Sequence, residues 1–127
     1  MSLKGNERLV DNLREVFKEI FENSEQGVYI YINDLDKLCN KNFAELLGYE
    51  SVSEWENVEE NFPTVFLHND SRQALVSVYQ KAMEKHVGSS IDITWRRKDG
   101  GSVRTNVILV PFPFEGHLLA LHYVSKK

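Results

Sequence analysis

The sequence predicts an α+β fold: a five-stranded antiparallel sheet with short helices and one long helix on one face, preceded by an N-terminal amphipathic helix. Three observations predict it. Residues 27–32, "GVYIYI", are β-branched and aromatic on both faces, so this strand has to be covered on both sides. Residues 89–124 read as three strands joined by the turn sequences "KDGG" and "PFEG", which makes a run of hairpins. Between them lie the short punctuated segment "NKNFAELLGYES" and one long helix-period segment, which can lie over one face of a sheet as a lid.

With 127 residues, 42% hydrophobic and 27% charged, the chain is long enough for one domain with its own core. A net charge of -4 argues against a nucleic-acid partner, which needs a basic stripe to displace counterions. Arg96-Arg97-Lys98 is the one basic cluster, and Asp99 closes it as a solvated turn. Cys39 stands alone, so a disulfide framework and a thiolate metal site are excluded, and a reducing, cytoplasmic setting is expected. No apolar run approaches the ~20 residues of a membrane span, and no secretory signal is visible, so no membrane contact is expected of this segment. Met1-Ser2-Leu3 reads as an expression scar and Ser125-Lys126-Lys127 ends abruptly, so a module of a longer protein is expected.

Residues 6–23 carry helix periodicity, with Leu9, Leu13, Val16 and Ile20 on one seam and Phe17 and Phe21 widening it. This gives two units: 1–23, a flanking helix for dimerisation, and 24–125, the sheet domain. After strand 27–32, "NDLD" is a turn and Lys37-Leu38-Cys39 a brief returning strand. Asp34 and Asp36 lack the glycine and bidentate glutamate of a calcium loop, so turn chemistry is the reading. Asn40 caps a helix whose stripe is Phe43, Leu46 and Leu47 and whose stop is Gly48. Ser51 to Glu54 is a capping box for one further turn, and 54–60 is a polar loop or frayed helix. Asp70 to Gln73 is another box, opening a helix through His86 that stops at Gly88. Strands follow at 89–97, 102–112 and 117–124.

The face assignment places Val28, Ile30 and Ile32 inward, with Tyr29 and Tyr31 outward under the N-terminal helix. Phe43 and Leu47 from the short helix, and Val76, Tyr79 and Met83 from the long one, complete a cavity wall. On the second long strand Asn106, Ile108 and Val110 are placed inward. An amide among aliphatic side chains needs partners, so Asn106 is either a ligand contact or the mark of a slipped register. A one-residue slip would put Asn106 in solvent and Thr105 inside.

These residues resemble the PAS sensory domain family over about 24–125. "NKNFAELLGYES" is similar to its Asn-x-x-Phe-x-x-x-x-Gly-Tyr signature, here Asn40, Phe43, Gly48 and Tyr49. "LHNDS" resembles the Leu/Val-His-Pro-x-Asp step into the long helix, with Asn69 where proline is common. "WRRKDGGSVRT" resembles the Arg-x-x-Lys-Asp-Gly hairpin, with Gly101 as an extra residue. The chain departs from the pattern at its end, where Tyr123-Val124-Ser125 stands in place of Asp-Ile-Thr. The resemblance implies a sensor of a larger signalling protein, upstream of a histidine kinase of a two-component system, a cyclic-dinucleotide enzyme or a transcription regulator. It implies a small ligand in the central cavity, or a module used only for interaction and dimerisation.

Light-sensing members carry a cysteine on the short helices; residues 51–66 contain none, and Cys39 on the second strand reads as a small buried hydrophobe, so covalent flavin photochemistry is not expected. Haem is not expected either: His86 sits in the last turn of the long helix, His68 precedes it, and His122 is a mid-strand imidazole. No catalytic triad spacing, phosphate loop or metal motif is present, so a small α+β enzyme is the third reading. Finally, the stripe of Leu9, Leu13, Val16, Phe17, Ile20 and Phe21 is too wide to leave in water. It can touch both its own sheet, at Tyr29, Tyr31 and Trp95, and a partner's helix. A symmetric homodimer centred on 9–21 is therefore expected.

Overall fold

The computed structural model describes residues 2–127, with side chains from Asn6 onward. Met1, which opens the expected N-terminal unit, lies outside the described residues. Strands β1 (Gly27–Tyr31), β2 (Lys37–Cys39), β3 (Ser89–Arg96), β4 (Ser102–Phe114) and β5 (His117–Lys126) form one antiparallel sheet in the order β2-β1-β5-β4-β3. The α+β fold expected from the sequence is the one observed. β4 and β5 meet at Glu115 and Gly116, whose φ values of 49° and 81° are those of a two-residue hairpin turn. β3 pairs only as far as Leu109, so Pro111 and Pro113 fall where β4 has β5 alone for a neighbour, and their missing donors leave no gap in a ladder.

Helices α1 (Ser2–Val16) and α2 (Lys18–Asn23) replace the single N-terminal helix expected, because Phe17 (φ -94°, ψ 6°) interrupts the run. α3 (Lys41–Leu46) is capped as read: Asn40 Oδ1 accepts the Phe43 N–H at 3.0 Å, and Gly48 takes φ 83° beyond its end. α4 (Val52–Glu56) starts on Ser51, whose hydroxyl accepts the Glu54 N–H. α5 (Phe62–Phe66) was not foreseen. Asn61 caps it through the Thr64 N–H at 3.1 Å, and Pro63 sits in the first turn, where no helical N–H is needed. α6 (Asn69–Lys85) is capped by His68 rather than Asp70, and it stops on a left-handed His86 (φ 57°) before Gly88 is reached.

The sheet separates two cores. Under α3–α6, Tyr29, Phe43, Leu47, Trp55, Phe62, Phe66, Ile93, Trp95, Val107 and Leu109 form the larger one. On the opposite face Leu9 and Leu13 pack with Val28, Ile30, Leu38, Leu119 and Leu121, joined by half-buried Phe17, Phe21 and Ile32. This reverses the expected face of β1. Tyr29, Tyr31 and also Trp95 lie on the α3–α6 side, and Val28, Ile30 and Ile32 lie under the N-terminal helix. The reason is steric: a side chain at Gly27 would meet Phe43 at 3.2 Å, so the face of 27, 29 and 31 is the one α3 presses on. Both faces of β1 are apolar, so its own alternation does not choose between them.

β4 is reversed as well, as in the slipped register. Thr105, Val107 and Leu109 are buried, whereas Ile108 and Val110 are exposed on the outer face with half-exposed Asn106. Asn106 Nδ2 donates to Ser90 Oγ (3.2 Å) and Asp92 Oδ1 (3.3 Å) there. Inside, the Trp95 indole N–H donates to Thr105 Oγ1 (2.8 Å), and that hydroxyl donates to the Ile93 carbonyl (2.9 Å). Thr105→Val keeps the shape and orphans the indole, so a loss of ~1–3 kcal/mol is expected in urea unfolding. An unchanged midpoint would remove Thr105 from this role.

Candidate functional site

The site begins with a turn. Asn33 Oδ1 accepts the N–H groups of Leu35 (2.9 Å) and Asp36 (2.8 Å), an Asx turn that sets Asp34 beside the end of β1. Asp34 Oδ1 then accepts from the Tyr31 hydroxyl (3.1 Å) and from the Phe62 N–H (3.1 Å), which ties the start of α5 to the sheet. Among the described residues no group of three or more His, Cys, Asp or Glu side chains able to hold a metal ion occurs.

Between α5, α6 and the sheet lies a cavity of about 280 Å³. Tyr29, Tyr31 and His122 form its floor, Asp34 and Phe62 one side, and Leu75, Val76, Tyr79 and Gln80 of α6 another. Two of its floor residues, Tyr29 and His122, belong to the aromatic cluster of the larger core. Tyr29 stacks on Phe43 (centroids 4.7 Å apart) and on His122 (3.9 Å), while Trp55 stands edge-on to Phe43 at 5.1 Å. Tyr29 and His122 are directly paired residues of β1 and β5, which is why their rings lie flat on one another.

Burial governs the titrations. It pushes the Tyr29 phenol well above its ordinary range, with the neighbouring Tyr31 adding to the shift. It also raises Tyr31, helped by the charge and hydrogen bond of Asp34, and it raises Tyr79. It drives His122 down to about 3, so this imidazole is neutral at physiological pH. Tyr29 Oη and His122 Nδ1 are both buried and neither has a hydrogen-bond partner among the described residues.

Behind this floor, Lys37 is buried with its ammonium donating to the carbonyls of Asp34 (3.0 Å), Glu56 (3.2 Å) and Val58. Burial lowers its pKa, against the pull of Asp34 and Glu56. Glu56 in turn binds the Cys39 N–H (3.1 Å) and Arg14 of α1 (2.9 Å). The Cys39 thiol is itself buried, which raises its pKa.

Of the residues expected to line the cavity, Val76 and Tyr79 do. Phe43 and Leu47 are buried in the same core, and Met83 packs against it, without reaching the cavity wall. Val28, Ile30, Ile32, Asn106, Ile108 and Val110 belong to the other face of the sheet, as described above. Sequence reading missed Tyr29, Tyr31, Asp34 and Phe62, whereas His122, a mid-strand histidine able to face the cavity, does line it. Gly27 was the available signal for the first two: a strand glycine marks where another backbone comes close, and here it shares their face.

No protein-family model and no curated protein matches the sequence. Solved structures do. The chain is similar to the PAS domain of an HTR-like protein from Haloarcula marismortui, at 20% identity over 98% of this chain and 99% of that one, with a TM-score of 0.64. It is similar to a PAS domain from a two-component sensor histidine kinase, at 13% identity over 92% and 99% of the two chains, TM-score 0.68. A PAS domain from Colwellia psychrerythraea matches at 17% identity over 91% and 97%, TM-score 0.68. The sheet order, the helices laid on one face and the near-complete overlap with these domains agree: the fold of this chain is the PAS fold.

Proposed function

We propose that this chain is the sensor module of a signalling protein, holding a small ligand in the cavity beneath α5 and α6. The observation that carries the reading is the pair of orphaned polar atoms, Tyr29 Oη and His122 Nδ1, both buried in the cavity floor. An unpaired buried polar group costs ~1–3 kcal/mol, and a ligand that pairs with both recovers it. A cavity of 280 Å³ falls at the low end of ligand sites, which supports a small molecule rather than haem or flavin. The likeness to a PAS domain of a two-component sensor histidine kinase supports a regulatory output domain in the same protein, with no reaction catalysed by this module.

The reading is tested by native mass spectrometry and an absorbance scan of freshly purified chain. A co-purifying small mass that His122→Phe releases would support it. Absorbance in the flavin or haem bands would overturn the choice of ligand size.

A second reading, a module for assembly with or without ligand, is favoured by the outer face. Leu9 and Leu13 are 3% and 0% exposed against the chain's own sheet, so they are unavailable to a partner, which corrects the expected interface. Val16 and Ile20 are 62% and 40% exposed, and Ile108 and Val110 leave further apolar surface on the same side of the sheet. We propose a homodimer through Val16 and Ile20, with Phe17 and Phe21 holding the helix to its own sheet. Sedimentation of the intact chain against Val16→Glu/Ile20→Glu tests it: the unmodified chain should be a dimer at tens of micromolar and the variant a folded monomer. A monomeric unmodified chain overturns it.

A further inference from the structure

We infer that the cavity selects a small organic cation, an ammonium or amidinium group carried on a compact apolar body. The inference rests on the cavity reading above and names the chemistry that reading leaves open.

One feature points to positive charge and two others accommodate it. First, Asp34 is the one charged side chain among the lining residues, and His122 is held neutral by burial. Its carboxylate is fixed through Oδ1 by Tyr31 and Phe62, while Oδ2 takes no protein donor among the described residues. The nearest cation, Lys37, is engaged by three backbone carbonyls and makes no ion pair with this carboxylate. An anionic ligand would therefore find no basic side chain in the cavity wall, and it would face a carboxylate.

Second, the walls are aromatic and set at right angles. Tyr31 meets Phe62 at 5.2 Å and 75°, and it meets Tyr79 at 5.3 Å and 90°. These edge-to-face contacts build an aromatic wall, and a ring face left open to the cavity would attract an alkylammonium group. Third, the orphaned atoms suit a donor-rich ligand. The Tyr29 phenol both donates and accepts, and a neutral imidazole offers one donor and one acceptor nitrogen, so a group rich in N–H can pair with their acceptor sites, while the preference for charge comes from Asp34. Size limits the rest: 280 Å³ is the room of roughly nine water molecules, enough for one small ring or a short branched chain.

The test uses three probes of one shape and different charge: benzylammonium, benzyl alcohol and benzoate. Each is titrated into the intact chain and followed by two-dimensional amide NMR and calorimetry. Benzylammonium should bind about tenfold more tightly than the alcohol, the scale expected for a partly desolvated cation among aromatic faces, and benzoate should not bind. Asp34→Asn keeps the carbonyl oxygen that holds Tyr31 and Phe62, and it should bring the ammonium to within about twofold of the alcohol. Tyr79→Leu, which leaves Asp34 untouched, should weaken benzylammonium severalfold more than the alcohol. Equal or tighter binding of alcohol or benzoate would overturn the cation assignment and leave the cavity reading standing. No amide shift at Tyr31, Tyr79 or His122 with any probe at millimolar concentration would overturn both.

Discussion

Replacing His122 by phenylalanine is expected to flatten the acid side of the stability profile while leaving the fold intact. The ring is buried, stacked at 3.9 Å on Tyr29, and its pKa is lowered to about 3 by desolvation. In the unfolded chain the same imidazole titrates near ~6.5. Between those values the unfolded state binds a proton that the folded state refuses. The contribution is complete above the unfolded value and is lost as pH falls through the window toward 3. One such group changes stability by at most ~1.4 kcal/mol per pH unit, so the whole window from 6.5 to about 3 is worth on the order of 5 kcal/mol. Phenylalanine keeps the stacking area and removes both the proton and the orphaned Nδ1. Urea unfolding of the two proteins at pH 7.5, 5.5 and 4.5 should give a difference that grows in favour of the variant as pH falls. A difference independent of pH would mean that His122 takes up its proton as readily in the folded protein as in the unfolded chain, and the burial argument fails.

The second large effect is expected at Leu47. This residue caps the C-terminal end of α3, is fully buried among the aromatic core, and its carbonyl accepts the Lys98 N–H at 2.8 Å from the β3–β4 hairpin. Leu47→Ala keeps that backbone bond and empties the space beneath it. Lost transfer energy plus the residual cavity gives ~2–5 kcal/mol. The matched control is Ile108→Ala on the exposed outer face, expected near the ~0.5 kcal/mol range of surface substitutions. Similar losses at the two positions would mean that α3 does not seal the core as described and that the outer face is covered.

Much of the fold was legible because its signals are local. Asn40 illustrates the boundary. Its capping of α3 follows from an Asn three residues ahead of Phe43, and the structure shows that bond. The same Oδ1 also accepts the Val28 N–H (2.9 Å), and Nδ2 reaches the carbonyls of Phe21 and Gln26. Nothing in the local sequence announces those partners, since they belong to segments that meet only on folding. α5 escaped notice because its five residues carry less than two turns of periodicity, and its Asn61 cap looked like the end of an acidic loop. The site suffered most from this limit. Asp34 reads as a turn residue because it is one, and it becomes part of a cavity only when α5 is laid across the end of β1.

The sequence by itself determined where the strands and most helices are, where the hairpins turn, and that both faces of β1 are covered. Each of these depends on period, capping or turn chemistry within a few residues. Which face of β1 and β4 looks at α3–α6 was decided only in the tertiary structure. A strand with apolar residues on both sides is nearly symmetric under exchange of its faces, so its own pattern carries almost no preference. The choice is made by contacts remote in sequence: α3 crossing close over Gly27, and Trp95 requiring Thr105 beside its indole N–H. Those contacts turn Tyr29, Tyr31 and His122 toward the cavity and leave Ile108 and Val110 outside.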